Sequence, residues 1–289
     1  MNRGGHSIVP SMNMPFASPR FLGLSAVVNE IRLASTQAYL SYKGLFLWLN
    51  WLAYVSNVIL RPGLVVAMFA LTGRFARGES AVEAYVIGLT AFAVPSIILG
   101  GVLQGFYYER SFGTLGFLFA SSGNRLTSFL MRGALHLPNA AFVIVAGLGF
   151  ATLFLHTNLE SANWPAACAC YAAMALTATA FALCWGSLCV VLRDWLILYQ
   201  LTLAGVLVFT GAIIPRDELP LGLGMLGAAL PTTHALGGLR EAFDSASLAS
   251  VGGDLALEAL VGVTYALLGY MLFRAVEAHA RRSGDYAAL

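Results

Sequence analysis

Long apolar runs alternate with short polar separators along this chain, and each run is close to the ~20 residues a helix needs to cross a bilayer. Six runs qualify, at about 51–72, 82–107, 133–155, 164–192, 195–214 and 255–276. The separators are GRFARGES, the patch YYERSFGTLGFLFASSGNR at 107–125, HTNLESAN, RDW, and a longer stretch from Pro215 to Asp254. The RDW separator works despite its brevity because Arg193 and Asp194 resist burial in hydrocarbon. The pattern predicts an all-α integral membrane protein whose six transmembrane helices occupy residues 51–280.

The flanking and connecting segments follow different patterns. Ahead of the first run, Leu24, Val27, Val28, Ile31, Ala34, Ala38 and Tyr42 recur at three- and four-residue steps. That spacing predicts an amphipathic helix within 21–50, suited to lying flat at a membrane interface. Its alternative is a helix packed on other cytosolic parts. Residues 1–20 hold Pro10, Pro15 and Pro19 and lack the apolar core of a signal peptide, so they read as a disordered tail; 281–289 form a second tail. Between the fifth and sixth runs, LPLGLGMLGAALPTTHALGGLREAF is apolar but broken by Pro220 and Pro231. Each piece is too short to cross, which predicts two short helices that dip into the outer leaflet and return, since non-helical backbone at membrane depth is tolerated only where protein or a water-filled cavity covers it. A surface loop is the alternative there.

Composition strengthens the membrane reading. Hydrophobic residues make up 58% of the chain and charged residues 10%, against about 25% charged in ordinary soluble domains. Orientation follows from the basic residues. With the N-terminus inside, Arg3, Arg20, Arg32, Lys43, Arg110, Arg125, Arg132, Arg193, Arg274, Arg281 and Arg282 fall on the cytosolic side. Only Arg74, Arg77, Arg216 and Arg240 fall outside, eleven against four, and Arg61 lies within the first run. Both termini are then cytosolic, and so is the 107–125 patch. The formal net charge of +2 is too small to point to nucleic acid. Scarce lysine beside abundant Ala, Gly and Leu fits a GC-rich bacterial genome, and hence a multi-pass protein of the bacterial plasma membrane.

Candidate chemistry is sparse. There is no G-x-x-x-x-G-K-[ST] phosphate loop, and the only lysine, Lys43, sits in SYKG. The five histidines are scattered without an H-E-x-x-H motif, and Cys168, Cys170, Cys184 and Cys189 share one apolar run without metal-ligand spacing. These cysteines read as small apolar fillers. The carboxylates that mark ion-coupled carriers are missing from mid-span positions; Glu83 and Glu258 lie near span ends. Arg61, followed by Pro62, is the one ionised group inside a span, and a structural role and a substrate contact both stay open for it. Gly101-x-x-x-Gly105 offers a small-residue step for close helix packing.

Two patterned segments, at the right places in this topology, resemble those of a type-2 ABC transporter permease. The first cytosolic loop of that family reads approximately E-R-x-x-G-T-L followed by leucines and a small or polar step. Here it is Glu109, Arg110, Ser111, Gly113, Thr114 and Leu115, then Leu118, Ser121 and Ser122. The family's entry to its outer re-entrant helices is similar to Thr210-Gly211, Pro215, Leu219-Pro220, Leu230-Pro231-Thr232-Thr233 and Leu239-Arg240. The likeness covers about residues 24–280. Gly116 and Gly123 depart from it, where many relatives carry an acid and a proline, and this leaves subfamily and cargo type open.

The resemblance implies a permease subunit of an exporter. It pairs with a second copy or a paralogue and with two ABC ATPase subunits, which would bind the ATP and Mg; this chain would hold no cofactor. Glu109 to Leu118 would form a short coupling helix, beginning at Glu109 and Arg110 and seated in an ATPase groove, with Leu115 and Leu118 as its apolar face. Gly211, Pro215, Leu219, Pro220, Pro231, Thr232, Thr233 and Arg240 would shape the outer gate, and Gly205 with Gly211 would line the seam between permeases. The apolar spans point to a hydrophobic drug or natural product as cargo, with a lipid-linked glycan or polysaccharide as the alternative. A stand-alone channel, scaffold or integral enzyme is the reading from outside this family.

Overall fold

The computed structural model describes residues 55–113, 125–157, 159–191, 194–215 and 219–283, with isolated positions between 28 and 52. The expected N-terminal tail, most of the amphipathic segment and residues 284–289 lie outside the described residues. Every regular element among those described is helical. A π-helical turn, Ser56–Leu60, leads into α1 (Arg61–Arg77). There follow α2 (Ser80–Ser111), α3 (Arg125–Ala134), α4 (Leu137–Leu155), α5 (Trp164–Val191), α6 (Trp195–Phe209), α7 (Leu221–Ala229), α8 (Thr233–Phe243) and α9 (Gly252–Ser283).

Among the described residues, four helical stretches are long and apolar enough to cross a membrane: Ala81–Ser111, Leu137–Leu155, Trp164–Cys189 and Gly252–His279. Trp195–Phe209 is apolar but shorter. This is a multi-pass membrane protein. At the N-terminal side, Val28, Ile31, Leu33, Tyr39 and Leu40 are helical and exposed, while Leu24, Val27, Ala34, Ala38 and Tyr42 of the expected apolar stripe lie outside the described residues.

Several boundaries differ from the expected ones, each for a local reason. The third run does not begin at 133: the helix breaks at Leu135-His136, ahead of Pro138 in the first turn of α4. Proline is tolerated at that end because its missing N–H would have no intrahelical partner there. The fifth run stops at Phe209 rather than 214. Gly211 adopts φ 87°, a left-handed value that ends a right-handed helix. α9 continues to Ser283, beyond the expected end of the last span and into what reads as tail.

α2 is the central helix. Val86, Val94, Ile98, Leu99 and Leu103 are completely or almost completely buried, and α2 packs against α1, α4, α5 and α6. It tolerates Pro95 in its interior. Proline removes a ladder donor there, and polar side chains gather at the defect: Ser96 Oγ donates to Ala93 O at 2.8 Å, and Tyr199 of α6 donates its hydroxyl to Ser96 O at 3.1 Å. Farther along, Thr90 Oγ1 and Tyr171 Oη lie 2.8 Å apart, joining α2 to α5. α9 packs on α5 and α8 and leaves Leu257, Leu260, Val263, Leu267 and Met271 exposed. Hydrocarbon, not water, solvates an apolar face of that extent.

Residues 159–163 and the end of α8 meet at one end of the bundle. Asn163 N–H donates to Ala242 O at 2.8 Å, and Ser161 and Ser245 hydroxyls donate to Phe243 O and Ser161 O. At the opposite end, Tyr107 near the close of α2 contacts the Trp195 ring that opens α6, with centroids 5.6 Å apart.

Candidate functional site

The apolar stretch after α6 folds as two short helices joined by a reversal of three residues. Pro220 (φ −52°, ψ 140°) opens α7. Leu230 is extended (φ −81°, ψ 149°), the conformation imposed on a residue that precedes proline. Pro231 follows, and Thr232 takes a left-handed φ of 74°. Such a corner exposes the last carbonyls of one helix and the first N–H groups of the next, each costly to leave without a partner in an apolar surround.

Each end is satisfied by side chains. For α7, Gly227 O accepts from Thr233 Oγ1 at 2.7 Å, Ala228 O from His234 Nε2 at 3.0 Å, and Ala229 O from the Tyr265 hydroxyl at 2.9 Å. Because a carbonyl only accepts, His234 must carry its proton on Nε2 in this arrangement. For α8, the carboxylate of Glu258, a residue with 0% exposure on α9, accepts from the N–H groups of Thr232 (2.7 Å), His234 (3.2 Å) and Ala235 (3.1 Å). A carboxylate at a helix N-terminus also meets the positive end of the helix dipole. Thr177 on α5 donates to the backbone carbonyl of Glu258 at 3.3 Å, tying this cap to the core.

The hairpin is anchored at two further points. Arg240, in the last turn of α8, donates Nη2 to Gly211 O at 2.5 Å. Gly227 of α7 lies so close to the end of α6 that a Cβ built on it would overlap the Phe209 carbonyl. Of the residues expected to shape this segment, Gly211, Pro231, Thr232 and Thr233 are buried, and Pro215, Leu219 and Arg240 are half-buried. Pro220 is exposed. Gly211 sits inside the subunit at the bend after α6, while Gly205 is half-buried on α6 itself.

A second feature lies between α1, α2, α4 and α6: a cavity of about 540 Å³. Its lining combines apolar residues with Arg61, Gln104, His136, Asn139, Tyr199 and Gln200. Gly101 faces it, and a Cβ there would collide with the His136 imidazole, whereas Gly105 meets nothing at that distance. Arg61, the first residue of α1, lines this cavity and is itself exposed.

The patch expected to open the first cytosolic loop differs from its expected form. Glu109, Arg110 and Ser111 do not begin a separate helix; they complete the last turn of α2, which closes at Phe112 and at Gly113 with φ 68°. Phe112 is 75% exposed and stacks on Tyr108 with centroids 5.8 Å apart. Thr114, Leu115 and Leu118 lie outside the described residues.

Sequence reasoning placed Glu258 near a span end but gave no role to it, His234, Tyr265 or the cavity amides. Each is a lone polar residue in an apolar run, and nothing in one run announces its partner in another. Glu258 does lie near the start of its helix, as expected, but it points inward. The cysteines fall out as Cys168 exposed and Cys170, Cys184 and Cys189 buried; Cys184 Sγ donates to Tyr265 O at 3.1 Å.

In comparison with known proteins, the family model described as ABC-2 type transporter matches residues 35–243, from the segment ahead of the first span to the end of α8. No curated protein matches the chain.

Proposed function

The chain belongs to the ABC-2 type transporter family, and from that premise we propose that it is the permease subunit of an ATP-driven exporter. Membership implies an ABC ATPase as partner. In this reading two copies of the ATPase bind the ATP and Mg, and two permeases, identical or paralogous, enclose the path. The chain crosses the bacterial inner membrane six times with both termini in the cytosol, the π-helical turn and α1 forming the first crossing and α6 the fifth.

The end of α2 and the loop beyond it receive the ATPase. Glu109 and Arg110 set register at the rim of that contact, as rim charges do, and the exposed Phe112 adds apolar area beside Thr114, Leu115 and Leu118. The α7–α8 hairpin is the outer gate, with Glu258, Tyr265 and Arg240 as its fasteners. Gly205 and the exposed side chains of α1 and α6, such as Leu71 and Leu201, face the second permease. Cargo is a largely apolar drug or natural product. A lipid-linked glycan is the second reading, favoured by the polar side chains lining the cavity.

The family match carries this reading. Its test is co-expression with a candidate ABC ATPase, purification by a tag on this chain, and reconstitution into vesicles. A stoichiometric ATPase and ATP-dependent cargo movement are expected. Full transport by the lone chain without nucleotide overturns it.

A further inference from the structure

We propose that the cavity between α1, α2, α4 and α6 binds an amphiphile with an anionic head group, held by Arg61 and flanked by side-chain amides. The first observation is charge. Among the described residues that line the cavity, Arg61, itself exposed, carries the only fixed charge, and there is no Asp or Glu. No ion pair joins Arg61 to a described carboxylate. With α1 as the first crossing, a cation of this kind marks a ligand or ion path.

The second observation is donor chemistry. Gln104 on α2, Asn139 on α4 and Gln200 on α6 present amide groups from three different helices to one space. Amide N–H₂ groups donate to oxyanions without adding charge, and guanidinium pairs with carboxylate or phosphate in a planar fork. At about 540 Å³ the space lies within the ~300–1,000 Å³ range of small-molecule sites.

The third is shape. Arg61 and Val65 also line a second, shallower groove of about 290 Å³ on α1, completed by Ser56, Leu60, Leu64 and Met68. Polar chemistry thus meets an exposed apolar strip at a single arginine. The helix is reset at that point: the π-helical turn Ser56–Leu60 ends at Arg61, whose N–H donates back to Ser56 O, and Pro62 follows. Local π geometry of this sort recurs at functional sites. A ligand with an anionic head in the cavity and an apolar tail along α1 satisfies both surfaces; an uncharged apolar molecule gives Arg61 no counter-charge.

As a statement about cargo, this rests on the permease reading; as a statement about binding, it does not. The test uses the full chain in nanodiscs of zwitterionic phosphatidylcholine. Binding of a fluorescent alkyl phosphate is titrated beside a trimethylammonium probe and an uncharged maltoside probe of equal chain length. The phosphate probe is expected to bind at least ~10-fold more tightly than either, about 1.4 kcal/mol. Arg61→Gln removes that preference, Arg61→Lys retains most of it, and Gln104→Leu weakens phosphate binding several-fold. Equal affinities for the three probes, or an unchanged preference in a folded Arg61→Gln protein, overturn the proposal. Should Arg61→Gln fail to fold, equal binding of phosphate and maltoside by the wild type and by Arg61→Lys overturns it equally. Stimulation of a co-purified ATPase by the phosphate probe is read separately. Headgroup-selective binding without any ATPase partner keeps this inference and removes the permease reading, and an active ATPase complex without selectivity does the reverse.

Discussion

The buried carboxylate of Glu258 on α9 accepts the backbone N–H of Thr232 at 2.7 Å, at the corner between α7 and α8. One side chain from the last long helix thereby fixes the entry to α8. Glu258→Ala leaves the N–H groups of Thr232, His234 and Ala235 without their acceptor. Hydrogen bonds to a charged group contribute about 1.5–3 kcal/mol each, non-additively, so we expect a loss of about 3 kcal/mol or more. Glu258→Gln keeps one oxygen acceptor and should lose less. Thermal unfolding in detergent, followed by a probe in α8, measures the order Glu258 > Gln > Ala; equal midpoints for the three proteins contradict the cap.

Gly227 should tolerate no side chain. A Cβ there enters the space of the Phe209 carbonyl, and a backbone atom cannot step aside as a flexible side chain can. Gly227→Ala is expected to cost about 1–3 kcal/mol, the range for overpacking, whereas Gly222→Ala on the same helix, where nothing lies within 4 Å, should be neutral or mildly stabilising. Proteolysis at the α6–α7 connection reports the difference.

The Thr90–Tyr171 pair is a weaker joint. Thr90 Oγ1 also lies 2.9 Å from Val86 O and 3.0 Å from Ile87 O, so Tyr171→Phe does not strand it. We expect about 0.5–1.5 kcal/mol for Tyr171→Phe. A double-mutant cycle with Thr90→Val should give a coupling energy within that range; a coupling near zero refutes the interaction.

Glu109 tests coupling. In a complex with the ATPase, Glu109→Ala should leave assembly and thermal stability unchanged while lowering cargo movement per ATP hydrolysed several-fold. Because Glu109 lies in the last turn of α2, where the helix dipole favours a cation, Glu109→Lys should leave that helix end intact and lower cargo movement per ATP as Glu109→Ala does. Wild-type transport per ATP in both variants sinks the assignment.

The hydrophobic pattern by itself determined the all-helical class, the membrane setting, most helix positions and the paired short helices around Pro231. Those follow from constraints that act along the chain: a bilayer demands long apolar helices, and proline interrupts them wherever it falls. Even the bend after Phe209 was half legible, because a glycine stands at 211. Only the tertiary structure decided which polar residues meet. Glu258 and Thr232 are far apart in sequence, as are Arg61 and Gln200, and an isolated polar residue in an apolar run looks the same whether it caps a helix, lines a cavity or faces lipid headgroups. Burial makes the difference: away from water each polar group must find a partner, and that partner is chosen by how the helices pack, a property no single run contains.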